Sequence, residues 1–247
     1  MKNQGRLVVA ALLSAGALAL TSCGGGSDAS PGSPGGTVFQ PGTNTPVVTT
    51  TSTGGTLLVR LGTDNLIQPD NPKFRKIFVA IVTDTNGRAV SGAVVTFNLR
   101  SGVPGNPGGY DKGTWDPIVA VPPSTQVWTQ NSTATCPNED RNFNAVLDAG
   151  DVDANNNGLL EPPGVSDVNP TAVTDTSGFA VATISYPQNY ATWTSVTLEA
   201  STTGSGAVPA RASFVLPGLA SDYTNASVPP PGDVSPFGSS TLCTDTQ

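Results

Sequence analysis

The clearest run of β-forming positions lies between Lys73 and Thr83, with Phe74, Ile77, Val79 and Ile81 set among polar neighbours, and predicts a strand. A weaker alternation over Thr56 to Leu61 predicts another before it. The run ends in Thr83-Asp84-Thr85-Asn86-Gly87-Arg88, where Asn-Gly supplies the positive φ of a tight turn, and Ala93 to Arg100 reads as the returning strand. Nearly the same turn recurs as Thr174-Asp175-Thr176-Ser177-Gly178 and leads into Phe179 to Ser185. Two further β runs follow, Ser195 to Ser201 and Ala210 to Leu216. Some seven short strands with turns between them predict an all-β sandwich over residues 56–217, interrupted by a long loop-rich insertion at about 101–170.

Outside that region the pattern changes twice. Lys2 and Arg6 precede an apolar run from Leu7 to Leu20, too short for a membrane span and of the right size for a secretory signal over residues 1–22. Residues 23–55 are mostly Gly, Ser, Pro and Thr, a composition that cannot offset its ordering entropy and reads as a flexible tether. Residues 218–247 form a Pro-rich tail.

Composition narrows the chemistry. The 247 residues carry no histidine, which removes Ser-His and Cys-His nucleophiles and histidine metal sites together. No phosphate-binding glycine loop, GxSxG or CxxC is present, so the expectation is a non-enzyme. A formal charge of -7 excludes the clustered basic surface that a nucleic-acid partner requires. The acidity is local, because six of the eighteen acids lie between Glu139 and Glu161 against one base, Arg141. A bound cation would relieve that repulsion.

Two copies of an acidic frame stand in this stretch. Asp140-x-Asn142-x-Asn144 runs on to Leu147-Asp148, and thirteen residues later Asp153-x-Asn155-x-Asn157-Gly158 runs on to Leu160-Glu161. Calcium takes about six to eight oxygens at flexible geometry, and acids or amides at alternate loop positions turn three of them inward. The candidate ligands of the first copy are Asp140, Asn142, Asn144, the Val146 carbonyl, Asp148 and, at the twelfth position, Asp151. Those of the second are Asp153, Asn155, Asn157, the Leu159 carbonyl and Glu161. Its twelfth position is Gly164, so closure there calls for water or for Asp167 reaching back. The first copy is thus the more complete, although Ala145 replaces the glycine that its sixth position favours. Asp151 is placed to bridge both frames, and Leu147 and Leu160 to pack the loops together or onto the sandwich. The opposing reading is a solvated Asp/Asn/Gly loop that binds nothing.

Three resemblances add to this. Leu20-Thr21-Ser22-Cys23 resembles a bacterial lipobox, which implies a lipidated Cys23 and, with Gly24 rather than Asp following, an outer-membrane destination in the cell envelope. Cleavage there removes Lys2 and Arg6 and takes the formal charge from -7 to -9. Val82-Thr83-Asp84-Thr85-Asn86-Gly87-Arg88-Ala89-Val90-Ser91-Gly92-Ala93-Val94-Val95-Thr96-Phe97, with Thr174 to Ala180, is similar to the group 1 bacterial immunoglobulin-like domain of intimin and invasin. That family implies an immunoglobulin-like β-sandwich used as a spacer or adhesive module, but it joins the two turns by a far shorter segment and is silent on the acidic loops. The loops themselves resemble those of thrombospondin type 3 repeats and dockerins more than an EF-hand, since Pro137, Pro162 and Pro163 leave no room for flanking helices.

With Cys23 lipidated, Cys136 and Cys243 remain as an even pair in an oxidising compartment. A bridge between them is expected, with free thiols or an intermolecular bond as the alternatives. Tyr186, Tyr190, Trp193, Trp115 and Trp128 either cap the core or form a sugar-stacking face. The functional expectation is an envelope lipoprotein with a calcium-ordered sandwich and an adhesive role toward a protein or glycan partner. A carbohydrate-binding module is the alternative.

Overall fold

The structure, a computed structural model, describes residues 56–102, 108–119, 126–203 and 209–245. The expected signal segment, Cys23 and the tether therefore lie outside the described residues. In chain order the strands are β1 (Leu58–Asp70), β2 (Lys73–Thr83), β3 (Val94–Arg100), β4 (Gly109–Val119), β5 (Gln126–Pro137), β6 (Asp167–Val168), β7 (Thr171–Val173), β8 (Phe179–Pro187), β9 (Thr194–Thr202) and β10 (Ala210–Val215). One sheet has the order β1-β2-β8-β6, the other β5-β4-β9-β3-β7 with β10 on β9, and the pairing is antiparallel throughout. The chain is an all-β sandwich, as its turn-punctuated β runs predict.

The period of two along each strand places the core between the sheets. Phe74, Phe78, Ala80 and Val82 of β2 and Ala180, Ala182, Ile184 and Tyr186 of β8 are buried on one side. Val95 and Phe97 of β3 and Val196, Leu198 and Ala200 of β9 meet them from the other. Each large aliphatic or aromatic side chain removed from water here contributes about 1.5–3 kcal/mol.

The two similar turns are structural twins. Asp84 accepts from the backbone N–H of Asn86 at 2.8 Å and of Arg88 at 2.9 Å, and Asp175 accepts from Ser177 and Phe179 at the same distances. Both carboxylates are spent on turn backbone, and Gly87 and Gly178 supply φ of 79° and 76°. Thr174 joins the turns, its hydroxyl donating to the Val90 carbonyl and accepting from Ala93 N–H. The first turn, however, closes only a single bridge, Thr83 to Ala89. β3 does not return beside β2; it crosses to the second sheet and pairs with β9 and β7.

The insertion is more ordered than its sequence pattern predicts. β4 and β5 pair antiparallel and extend the second sheet beyond β9. Their pattern is masked by glycine and proline. At Gly113 the register shifts and φ is 149°, and a Cβ would lie 2.1 Å from the Asn131 carbonyl oxygen. The Pro-rich tail is equally built in. Gly113 N–H donates to Gly238 O, Ser235 N–H to Gly113 O and Trp115 N–H to Asp233 O, so the tail covers the edge of β4 that β9 leaves open. Pro117 shares the parity of Gly113 and Trp115, and its missing N–H therefore costs β5 no bond. The expected disulfide between Cys136 and Cys243 is present, spanning 107 residues and tying the tail to the end of β5.

Outside the acidic loops, one described non-glycine residue is held in the left-handed region. Thr192 has φ of 69°, which a β-branched side chain rarely adopts, at the corner that turns Trp193 into the interior. Relief of about 1–2 kcal/mol for the left-handed region, less the entropy of an added glycine, predicts a net gain of about 0.5–1 kcal/mol for Thr192→Gly. Its melting temperature, measured by circular dichroism, is expected above that of the wild type; a fall would mean that side-chain contacts outweigh the backbone cost.

Candidate metal centre

The two acidic frames fold alike, residue for residue. Asp140 accepts through its two oxygens from Asn144 N–H at 3.1 Å and Ala145 N–H at 2.8 Å; Asp153 accepts from Asn157 N–H at 3.1 Å and Gly158 N–H at 2.8 Å. Asn142 Oδ1 and Asn155 Oδ1 take the same N–H of Asn144 and Asn157, and Asn144 Oδ1 and Asn157 Oδ1 take Val146 N–H and Leu159 N–H. The amide groups of Asn142 and Asn144 donate to Asp148, and those of Asn155 and Asn157 donate to Glu161. The winding repeats as well. Phe143 and Asn156 have φ of 61° and 55°, and Ala145 and Gly158 have 61° and 77°.

A residue outside each frame closes it. Asp151 accepts from Arg141 N–H at 2.9 Å and from Asp148 N–H at 3.1 Å, the second and ninth positions of the first loop. Glu139 accepts from Ala154 N–H at 3.1 Å and Glu161 N–H at 3.0 Å, the second and ninth positions of the second. Glu139 thus takes in the second copy the place that Asp151 takes in the first. Neither Gly164 nor Asp167 has that part: Asp167 is committed to β6. Asp151 turns both its oxygens onto the first loop instead of spanning the two. Both copies are therefore closed by a carboxylate, which removes the reason for ranking the first above the second. Glu139 was legible only as one more acid, because its partner positions lie 15 and 22 residues away.

The copies differ in burial. Asn142, Asn144 and Asp148 face solvent, whereas Glu139 and Asn155 are buried and Tyr110 donates its hydroxyl to Glu161 Oε2 at 3.2 Å. Burial raises the pKa of Glu139, with the charges of Glu161 and Asp153 adding to it and the N–H groups of Ala154 and Glu161 opposing it. Burial also pushes the Tyr110 phenol up, assisted by Glu139 and Glu161. The Asp148 carboxyl is held below its usual value by Gly150 N–H and the amides of Asn144 and Asn142. Negative charge thus concentrates around the second loop with amide dipoles as its main compensation.

As a donor set each frame offers two carboxylates, two amide oxygens and a backbone carbonyl, an all-oxygen set of the kind a hard cation takes. Among the described residues no three Cys, Asp or Glu side chains converge as a metal cluster, so the amides and carbonyls are needed to complete either site. Leu147 and Leu160 line a groove of about 630 Å³ between the loops, with Phe143, Pro163, Phe237 and Arg100 also in its walls. Val146 and Leu159 stand 60% and 63% exposed at the loop tips.

The aromatic residues are engaged in internal contacts. Tyr186 and Trp193 are buried, Trp115 stacks on Tyr223 at 4.2 Å and Tyr190 meets Phe237 edge-on at 5.7 Å. Trp128 Nε1 donates to the carbonyls of Asn225 and Val228, each at 2.9 Å. No protein-family model matches this chain, and no curated protein matches it either.

Glu139→Ala removes two charge-assisted acceptor bonds from partly buried backbone, each worth about 1.5–3 kcal/mol. Hydrogen exchange at Ala154 and Glu161 is expected to accelerate roughly tenfold or more in that variant, with the turn amides of Asn86 and Ser177 unchanged. Equal acceleration at all four sites would instead mean global destabilisation.

Proposed function

We propose that this chain is a lipid-anchored protein of the bacterial envelope, non-enzymatic, whose immunoglobulin-like sandwich carries a pair of calcium-ordered loops and presents them as a structural or adhesive surface. The observation that carries the reading is the repetition of one loop design. Two separate sequences adopt the same carboxylate and amide register and the same pair of left-handed positions, which the first copy holds even with Phe143 and Ala145 there. In each, the amide N–H groups of two asparagines turn toward a carboxylate that has no basic partner among the described residues, the position from which a cation would draw the amide oxygens instead. Asp140, Asn142, Asn144, the Val146 carbonyl and Asp148, closed by Asp151, would hold one ion. Asp153, Asn155, Asn157, the Leu159 carbonyl and Glu161, closed by Glu139, would hold the other.

Calcium's part is to supply charge and fix the loop tips. Extracellular modules of this type bind at about 10⁻⁴ to 10⁻³ M, so the loops would be filled constitutively where calcium is millimolar. Titration calorimetry of the protein with calcium is expected to give binding in that range, and a hundredfold excess over Kd to add about 2.7 kcal/mol of stability per site. Asp140→Ala and Asp153→Ala should each remove one of the two steps. No heat together with an unchanged melting temperature would sink the site.

Anchoring is tested separately. The sequence Leu20-Thr21-Ser22-Cys23 supports lipidation of Cys23, and attachment through several acyl chains is stable where one chain is marginal. Cys23→Ser is expected to shift the protein from the membrane pellet to the soluble fraction and to abolish incorporation of labelled fatty acid. Retention of both by the variant would refute the anchor.

A further inference from the structure

The tail changes character after Gly238. Up to that point it is built into the molecule: Asp233, Ser235 and Gly238 bond the backbone of β4, Gly232 accepts from Trp193 Nε1 at 2.8 Å, and Ser235 and Phe237 are buried. From Ser239 to Asp245 no residue is buried, and Leu242, the one aliphatic side chain of this segment, is 57% exposed. Among the described residues its backbone N–H groups bond only within the segment, Leu242 N–H to Ser240 Oγ and Asp245 N–H to Leu242 O. The segment is tied to the body by the Cys136–Cys243 bond and by two donors that reach it from β4 and β5.

Those donors are Thr133 and Lys112. Thr133 Oγ1 donates to Ser239 O and Ser240 O, both at 3.0 Å. Lys112 is fully buried, and its ammonium donates to Leu242 O at 3.1 Å and to Asp245 O. An ammonium carries three protons, and among the described residues these two carbonyls are its partners. Water would satisfy all three, so hydration of Lys112 works against closure of the segment. Both acceptors stand within two residues of Cys243. The bond that holds Cys243 therefore also holds the acceptors over the ammonium.

We infer that the Cys136–Cys243 disulfide is a redox latch: it keeps residues 239–245 closed over Lys112, and its reduction releases the segment and uncovers the lysine. Cys136 is buried whereas Cys243 is half-buried, so the sulfur open to attack is that of Cys243. With a dithiol as reductant, one thiolate attacks Cys243 Sγ, the S–S bond breaks and Cys136 leaves as a thiolate that takes a proton. The second thiol then displaces Cys243 from the mixed disulfide. The dithiol ends as a disulfide and both cysteines as thiols, two electrons and two protons having passed to the protein. Opening is local, because the bonds of Asp233, Ser235 and Gly238 to β4 and the burial of Phe237 lie upstream of the released segment. Gly238, with φ of 87°, is the last tail residue bonded to the β4 backbone and marks the hinge. The reduced form thus offers a primary amine that the oxidised form withholds.

Amine labelling of the full-length chain in non-ionic detergent tests the latch. The protein is reduced with a dithiol, desalted under argon and pulsed with acetic anhydride, and the acetylated peptides are read by mass spectrometry. The Cys243→Ser variant is pulsed in the same way with no reductant. Two lysines serve as internal references: Lys73 is exposed, and Lys76 is buried in the sandwich, where it donates to Asp64 O and Leu66 O. Lys112 is expected to be acetylated roughly tenfold faster or more in the reduced protein and in the variant than in the oxidised protein, with Lys73 and Lys76 unchanged. Unchanged protection of Lys112 in either form overturns the inference. A matching rise at Lys76 does so too, since the sandwich as a whole would then have opened.

Discussion

Tyr110 is the point at which the separate parts of this molecule meet. Its backbone pairs with Thr194 of the sandwich and with Cys136 of the hairpin, its ring lies 4.4 Å from Phe237 of the tail, and its hydroxyl donates to Glu161 of the second acidic loop. With Cys136, Trp193 and Phe237 it forms a second hydrophobic cluster distinct from the core between the sheets. A hairpin standing alone is marginal in water. This cluster, with the disulfide at its side, gives the hairpin a buried face and turns the loops that follow it into a fixed feature of the fold. The Tyr110 hydroxyl also ties acidic loop to apolar cluster, because a buried phenol needs a partner and Glu161 is the one it has.

From that anchor the two loops follow a local symmetry. Val152 N–H donates to Glu139 O, and Glu139 and Val152 each immediately precede the first acid of a loop. Glu139 then closes the loop after Val152, while Asp151, next to Val152, closes the loop after Glu139. Each loop is thus held by a carboxylate from the entrance of the other. The arrangement gathers acids on opposite sides of one backbone bridge and balances them with backbone N–H groups, asparagine amides and the Tyr110 hydroxyl. Such dipoles can hold a loop's shape. They leave net charge in place, and the pKa of Glu139 is raised chiefly by its burial, with the charges of Glu161 and Asp153 adding to it.

The sequence was most readable where one physical rule acted alone. β2 falls on Lys73–Thr83 as its pattern predicts, and both Asp-Thr-x-Gly turns are where Asn86-Gly87 and Ser177-Gly178 put them. The acidic frames were legible as a pair because liganding oxygens must alternate along a loop. β4 and β5 were not, because their stabilisation comes from register and from the tail: Gly109, Gly113 and Pro117 lower any local strand signal, and each is accommodated by a neighbour distant in sequence. The destination of β3 was hidden for the same reason. A turn fixes where a strand ends, whereas the choice between pairing with β2 and crossing to β9 depends on which face of β3 is covered. Glu139 was missed as the closing group because nothing in its own neighbourhood distinguishes it from Asp140.

The aromatic and basic residues of the hairpin region acquire a common explanation from the tail. A Pro-rich segment donates few hydrogen bonds and lies in no sheet for most of its length, so its inward carbonyls require donors from elsewhere. Tyr186 donates to Pro217 O, Trp128 to Asn225 O and Val228 O, Trp193 to Gly232 O and Thr133 to Ser239 O and Ser240 O. Lys112, fully buried and without a carboxylate partner among the described residues, donates to the carbonyls of Leu242 and Asp245. A buried ammonium is costly unless its protons are accepted, and the end of the tail is what accepts them. These side chains are selected by the tail's surplus of acceptors. The tail in turn is required because β4 parts from β9 after Tyr110 and exposes an edge that the backbone groups of Asp233, Ser235 and Gly238 close.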